Sequence, residues 1–125
     1  MKIHQSAEDY LETILKLRGK NGAVRSIDLV NELGYSKPSV SVAMKKLRES
    51  GHILMDADGF ITFTELGLLE ANRVYTRHQM LTEFLVGLGV DSEIAAEDAC
   101  KIEHHISEQT FLKIREFLEN MGNKR

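Results

Sequence analysis

The stretch "DACKIEHHIS" holds the one cysteine of the chain, Cys100, followed by Glu103, His104 and His105. On a helix, Cys100, Glu103 and His104 stand at i, i+3 and i+4. At about 100° per residue they share one face, and His105 points about a third of a turn away. A thiolate, a carboxylate and an imidazole on one face are a donor set for a divalent transition metal. The same arc also fits a solvated helix face with one half-buried thiol, and this segment alone leaves both readings open. Two other segments carry related side chains. Asp9 and Glu12 are i, i+3 in the first helical pattern, off its Ala7/Leu11/Ile14 stripe, where charged pairs are usually only solvated. His78 shares a face with Val74, Leu81 and Leu85, where a core histidine competes with a ligand. Together, the three segments read as a metal site assembled by packing. The motifs HExxH and CxxC, which define other zinc sites, do not occur.

Composition narrows the classes. The chain has 125 residues, which suits one compact domain or two small lobes. One cysteine forms no internal disulfide and remains available as a ligand in a reducing compartment. No apolar run is long enough to span a bilayer, and the opening "MKIHQSAEDY" lacks a signal-peptide core. A cytoplasmic protein without membrane partners is expected. The formal net charge of −3 does not favour nucleic acid, but the charge is divided by region. Lys37, Lys45, Lys46 and Arg48 cluster in one stretch, while acids gather at Glu8, Asp9 and Glu12 and again at Glu93, Glu97, Asp98 and Glu103. A local basic face can still neutralise phosphates.

The elements that must position these residues follow from periodicity and caps. A first helix spans "SAEDYLETILKLRGKNG" and stops at "GKNG". A short second helix, "SIDLVNELGY", takes Ser26 as its N-cap and Gly34 as its stop. A third, "SKPSVSVAMKKLRESG", is capped by Ser36, tolerates Pro38 in its first turn, and buries Val40, Ala43, Met44 and Leu47. "HILMDADGFITFT" has two strand-prone runs around a turn. A long fourth helix starts at Thr64, with Gly67 as a minor blemish. A fifth runs from Glu93 to His105, and Ser107 caps a sixth with the stripe Phe111/Ile114/Phe117/Leu118. "NMGNKR" reads as a frayed tail.

Three helices and a two-stranded hairpin form the winged helix-turn-helix pattern. The expected fold is therefore mostly α: a winged helix-turn-helix DNA-binding domain over residues 1–71, then a helical domain over residues 72–125. In such a motif the second helix of the pair enters the major groove N-terminus first. Here it would present Ser36, Lys37, Ser39 and Ser41, small polar groups that allow close approach. Pro38 and Val42 suit thymine methyls, and Lys45 and Lys46 suit phosphates. An ordinary serine-capped surface helix fits the same residues.

The segments "EDYLETI", "SKPSVSVAMKKL", "GFITFTELG", "RHQMLTEFLVGLGV" and "ACKIEHHIS" are spread in this order through nearly the whole chain. In them the chain resembles the metal-responsive repressors of the diphtheria toxin repressor and manganese transport regulator family. The resemblance implies a homodimeric regulator, not an enzyme, whose second domain serves dimerisation and metal binding. It implies that such a regulator binds a palindromic double-stranded DNA operator and represses metal-uptake genes when Mn2+ or Fe2+ is bound, with Co2+ or Zn2+ as in vitro substitutes. It implies the metal ligands Asp9, Glu12, His78, Glu103 and His104. Cys100 falls where the manganese branch carries a glutamate and the iron branch a cysteine, whereas the iron branch usually has methionine in place of Asp9. Ala96 and Thr82 fall at two ligand places of the iron branch's ancillary site, so that site is expected to be missing; the sequence ends soon after the sixth helix, so the extra C-terminal domain of many iron-branch members is expected to be absent as well. The competing reading of the same residues is a winged-helix regulator that senses oxidants through the Cys100 thiol.

Overall fold

The structure is a computed structural model and describes residues 5–123. It divides into two compact units, Met1–Arg73 and Val74–Arg125.

In the first unit, α1 (Gln5–Asn21) is followed by β1 (Val24–Arg25), α2 (Ser26–Leu33), α3 (Lys37–Glu49), β2 (Ile53–Met55) and β3 (Phe60–Phe63). The apolar stripes turn Leu11, Ile14, Leu29, Val40, Met44 and Leu47 into one core, closed by Val24, Ile53 and Ile61 from the sheet. Burying a side chain of this size stabilises by about 1.5–3 kcal/mol over leaving it exposed. That is why three short helices, each marginal alone, hold together here.

The caps set the helix ends. Gly34 takes a left-handed φ of 73° and donates its N–H to the Val30 carbonyl at 2.9 Å, ending α2. Only two residues then separate it from α3, where the Ser36 hydroxyl accepts the Ser39 N–H at 3.2 Å. This pair of caps makes the tight turn of the helix-turn-helix. At the start of α2 the structure corrects the expected cap. Ser26 is the first helical residue, Arg25 precedes the helix, and the Asp28 carboxylate reaches back to the Arg25 N–H at 2.8 Å.

The expected hairpin is present and gains a third strand. The order is β1-β3-β2, all antiparallel, with Val24 opposite Ile61 and Met55 also opposite Ile61. Two-residue β1 has no sequence pattern of its own; pairing with β3 creates it. At the hairpin tip the Asp56 carboxylate accepts the N–H groups of Asp58 and Phe60, each at 2.9 Å, while Gly59 supplies a φ of 85°.

The long helix α4 (Glu65–Gly87) begins in the first unit and ends in the second. The Thr64 hydroxyl accepts the Gly67 N–H at 3.0 Å and donates to the Gly51 carbonyl at 2.6 Å. Gly67 is not a blemish. A Cβ there would overlap the His52 carbonyl oxygen, so the close approach of α4 to the segment just before β2 needs glycine.

The second unit contains the rest of α4, then α5 (Ser92–Ile102) and α6 (Glu108–Asn123). Val74, Leu81, Ala95, Ala99 and Phe111 are buried. Asp91 caps α5 by accepting the Glu93 N–H at 3.3 Å, and Ser107 caps α6 by accepting the Thr110 N–H at 3.1 Å. Helix α5 ends at Ile102 rather than at His105. The next residues tighten into a turn, with the His105 N–H on the Ile102 carbonyl at 2.9 Å. Helix α6 continues through Asn123 where fraying was expected; the last two residues of that tail lie outside the described residues.

Candidate functional site

The donor residues of the second unit converge. Glu103 sits one residue past the end of α5 with φ −57° and ψ −25°, still in the right-handed region. The i, i+3, i+4 relation of Cys100, Glu103 and His104 therefore survives the loss of regular helix. Each offers a donor atom, and these atoms lie within 4.8 Å of one another. From α4, His78 Nδ1 lies 3.1 Å from Glu103 Oε2, and His104 Nε2 lies 3.4 Å from Oε1. The Glu103 side chain is 1% exposed and that of His104 2%. A carboxylate taken this far from water loses several kcal/mol of solvation (roughly, for any such ion) unless positive charge and hydrogen bonds replace it. His105, by contrast, is exposed.

In the first unit Asp9 and Glu12 both stand on α1, off the face that fills the core. Glu12 is only 5% exposed, with Lys16 Nζ 2.9 Å from Oε1. Its Oε2 is buried and has no hydrogen-bond partner among the described residues. An unsatisfied buried carboxylate oxygen is costly, and a cation is what such an atom can accept. Beside them, Glu8 meets Arg73 Nη2 at 2.7 Å, and Arg73 also reaches Glu70 at 3.2 Å, which ties α1 to the first half of α4. The donor sets of both units suit a divalent first-row metal: imidazole nitrogen, carboxylate oxygen and one thiol sulfur.

One positioning residue escapes the sequence reading. Arg77 is buried next to His78 on α4, its guanidinium 4.8 Å from the Phe111 ring centroid. Its Nη2 donates to the Ser107 carbonyl at 3.4 Å and lies 3.5 Å from Glu108. It holds the start of α6, and through it the Glu103–Ser107 turn. The available signal was its spacing: three after Val74 and four before Leu81, a charge inside an apolar stripe.

The residues expected to read DNA are all exposed. Ser36, Lys37, Pro38, Ser39, Ser41, Val42, Lys45 and Lys46 are exposed, while Val40, Met44 and Leu47 face the core. Tyr35, just before the Ser36 cap, packs edge-on against Tyr10 of α1 with ring centroids 5.8 Å apart. Burial first, and Tyr35 second, push the Tyr10 phenol above its ordinary pKa. Tyr10 neighbours Asp9, so the helix that carries the carboxylates also touches the entrance of α3.

Comparison with known proteins completes the assignment. The sequence profile of the iron-dependent repressor N-terminal DNA-binding domain matches residues 2–58. That of the iron-dependent repressor metal-binding and dimerisation domain matches residues 64–124. The transcriptional regulator MntR of Escherichia coli O6:H1 is 38% identical over 117 residues, 94% of this chain and 76% of that protein. An uncharacterised HTH-type transcriptional regulator of Methanocaldococcus jannaschii is 34% identical over 122 residues, 96% of this chain and 98% of that protein. The solved structure of the manganese regulator SloR superposes with a TM-score of 0.79 at 26% identity, covering 95% of this chain and 55% of that one. This chain thus spans about half the length of SloR. On these matches it belongs to the diphtheria toxin repressor and manganese transport regulator family of metal-dependent transcriptional repressors.

Proposed function

We propose that this repressor uses Mn2+ or Fe2+ as corepressor and holds it with Asp9, Glu12, His78, Cys100, Glu103 and His104. The observation that carries the reading is the buried Glu103 carboxylate, with a histidine at each oxygen and the Cys100 sulfur within ligand reach. Asp9 and Glu12 join by the family's ligand pattern. The buried Glu12 oxygen supports their role. The bound cation supplies the positive charge that offsets the three carboxylates. Co2+ and Zn2+ are expected to substitute in vitro.

The chain's own residues convert this into DNA binding. Residues 1–71 form the reading domain, and α1 carries two of the carboxylates while its other face packs in the same core as α3. Residues 72–125 form the dimerisation and metal-binding domain. In it, Phe84, Leu88, Ile114 and Phe117 line an apolar groove, with Leu88 66% and Phe117 52% exposed. A second copy of the chain is the occupant the dimerisation domain implies. In a homodimer two copies of α3 present Ser36, Lys37, Ser39 and Ser41 at a fixed separation. A palindromic operator with half-sites about one helical turn apart, or a multiple, requires that separation. Metal and operator then strengthen each other's binding reciprocally. The regulated genes are proposed to be those of metal uptake. The relatives are transcriptional regulators rather than enzymes. Among the described residues no helix is long and apolar enough to cross a membrane, in keeping with a cytoplasmic regulator.

The test is a DNA-binding titration with Mn2+, Fe2+, Co2+ and Zn2+, and with chelator, on the wild type and on Cys100→Glu. Thiolate favours Fe2+, Co2+ and Zn2+, whereas carboxylate favours Mn2+. Cys100→Glu is expected to move the ranking toward Mn2+; an unchanged ranking removes Cys100 from the ligand set. Equal operator affinity with chelator and with saturating metal would overturn the corepressor mechanism, and loss of binding only on thiol modification would favour oxidant sensing.

A further inference from the structure

The wing presents an electrostatic problem. Residues 52–63 contain two acids, Asp56 and Asp58, both exposed at the tip, and no lysine or arginine. Against a phosphate backbone such a tip is repelled. Positive charge reaches the wing from other elements, Arg18 of α1 at 5.9 Å from the Phe63 ring centroid and Arg25 on the residue nearer the tip, Phe60. Arg25, on β1, is paired in register with Phe60 of β3, and its guanidinium lies 4.3 Å from the Phe60 ring centroid. Strand alternation puts this pair on the outer face: Val24 and Ile61 are buried, whereas Arg25 and Thr62 are exposed. The Arg25 backbone is fixed as well, since its N–H is held by Asp28 at 2.8 Å. A guanidinium lying on a ring keeps its N–H edge available for an anion while losing little rotamer freedom on binding.

The position of Arg25 in the motif gives it a target. It directly precedes α2, the first helix of the helix-turn-helix. When the second helix lies in the major groove, the first crosses the sugar-phosphate backbone. We propose that Arg25, steadied on Phe60, is a phosphate-binding residue of the DNA interface, and that it supplies the cation the wing lacks. It positions the duplex and reads no base. The proposal rests on the DNA-binding domain and is independent of which metal is bound.

The test is operator and scrambled-duplex binding by fluorescence anisotropy over a series of KCl concentrations, with saturating Mn2+ and with chelator. Arg25→Gln is expected to weaken both duplexes several-fold and to lower the slope of log K against log salt by about 0.9, the value for one lost phosphate contact. Arg25→Lys keeps the charge but loses the planar stack, so the slope stays near wild type while affinity falls in part. Phe60→Leu is expected to behave like Arg25→Lys. A wild-type slope for Arg25→Gln, or a loss confined to the operator, would overturn the assignment. Because the scrambled duplex reports without metal, failure of the corepressor mechanism leaves this result readable. Should Arg25→Gln unfold, shown by circular dichroism, Arg25→Lys and Phe60→Leu decide the matter. Wild-type affinity in both overturns it.

Discussion

His78 Nδ1 lies 3.1 Å from Glu103 Oε2, which ties the middle of α4 to the turn after α5, 25 residues away. The pair is within hydrogen-bond distance, and its carboxylate is nearly inaccessible to water. Such a buried acid is poorly explained as a device for stability, since buried ion pairs often do no better than apolar replacements. It fits the metal-ligand role proposed for it.

Glu103→Gln should therefore separate function from stability. The amide keeps the shape and removes the charge. Metal-dependent operator binding is expected to fall at least tenfold, measured as the affinity ratio with Mn2+ and with chelator. Thermal unfolding of the metal-free protein is expected to stay level or rise, because one desolvated charge is gone. A large drop in metal-free stability would instead make Glu103 structural.

The cap of α3 is proposed to serve both the helix and DNA binding. The Ser36 hydroxyl accepts the Ser39 N–H and sits exposed at the N-terminus of α3, the end proposed to meet DNA. Ser36→Ala is expected to cost about 1 kcal/mol of stability from the lost cap. Operator affinity should fall as well, and by more than stability predicts if the hydroxyl also meets DNA. Urea denaturation and anisotropy on the same variant distinguish the two.

Gly67→Ala inverts the usual rule. In an exposed helix interior, alanine gains roughly 0.8–1 kcal/mol over glycine. Here the added methyl meets the His52 backbone, which already accepts the Thr64 N–H at 3.1 Å. The overlap is expected to outweigh the propensity gain, for a net loss of about 1–3 kcal/mol, the usual range for overpacking. A raised melting temperature would contradict this.

The open apolar face of the second unit predicts an assembly effect. Phe117 is 52% exposed, and its ring packs edge-on against Phe84 with centroids 6.2 Å apart. Phe117→Asp places a charge on the surface proposed for the second copy. Sedimentation should then show monomer with helical content retained. An intact dimer would move the interface elsewhere on the unit.

Particular residues show where the sequence was legible. Ser36, Asp91 and Ser107 read correctly as caps because cap chemistry is local: a short oxygen-bearing side chain reaches a backbone N–H two or three residues on. Ser26 misread for the same reason. Its neighbour Asp28 competes for the free N–H groups and reaches one residue further back, to Arg25. Strand β1 was invisible because two residues carry no period; only pairing with Ile61 and Phe60 of β3, 37 and 35 residues away, makes Val24 and Arg25 a strand. The fifth helix read too long because Glu103 keeps helical dihedrals after the regular bonding tightens into a turn.

By itself, the sequence determined the order of the helices and the hairpin, the eight exposed residues on and before α3, and the membership of Cys100, Glu103 and His104 in one arc, since all depend on spacings of a few residues. It also carried the family resemblance that marked His78, Asp9 and Glu12. Tertiary structure alone decided that Glu103 is buried with a histidine near each oxygen, that Arg77 lies on Phe111 to hold the next turn, that Gly67 admits the His52 carbonyl, and that Arg25 rests on Phe60. Apart from the adjacent Glu103 and His104, those relationships join residues 15 to 35 positions apart, and no local periodicity records which distant side chains packing brings within a few ångströms.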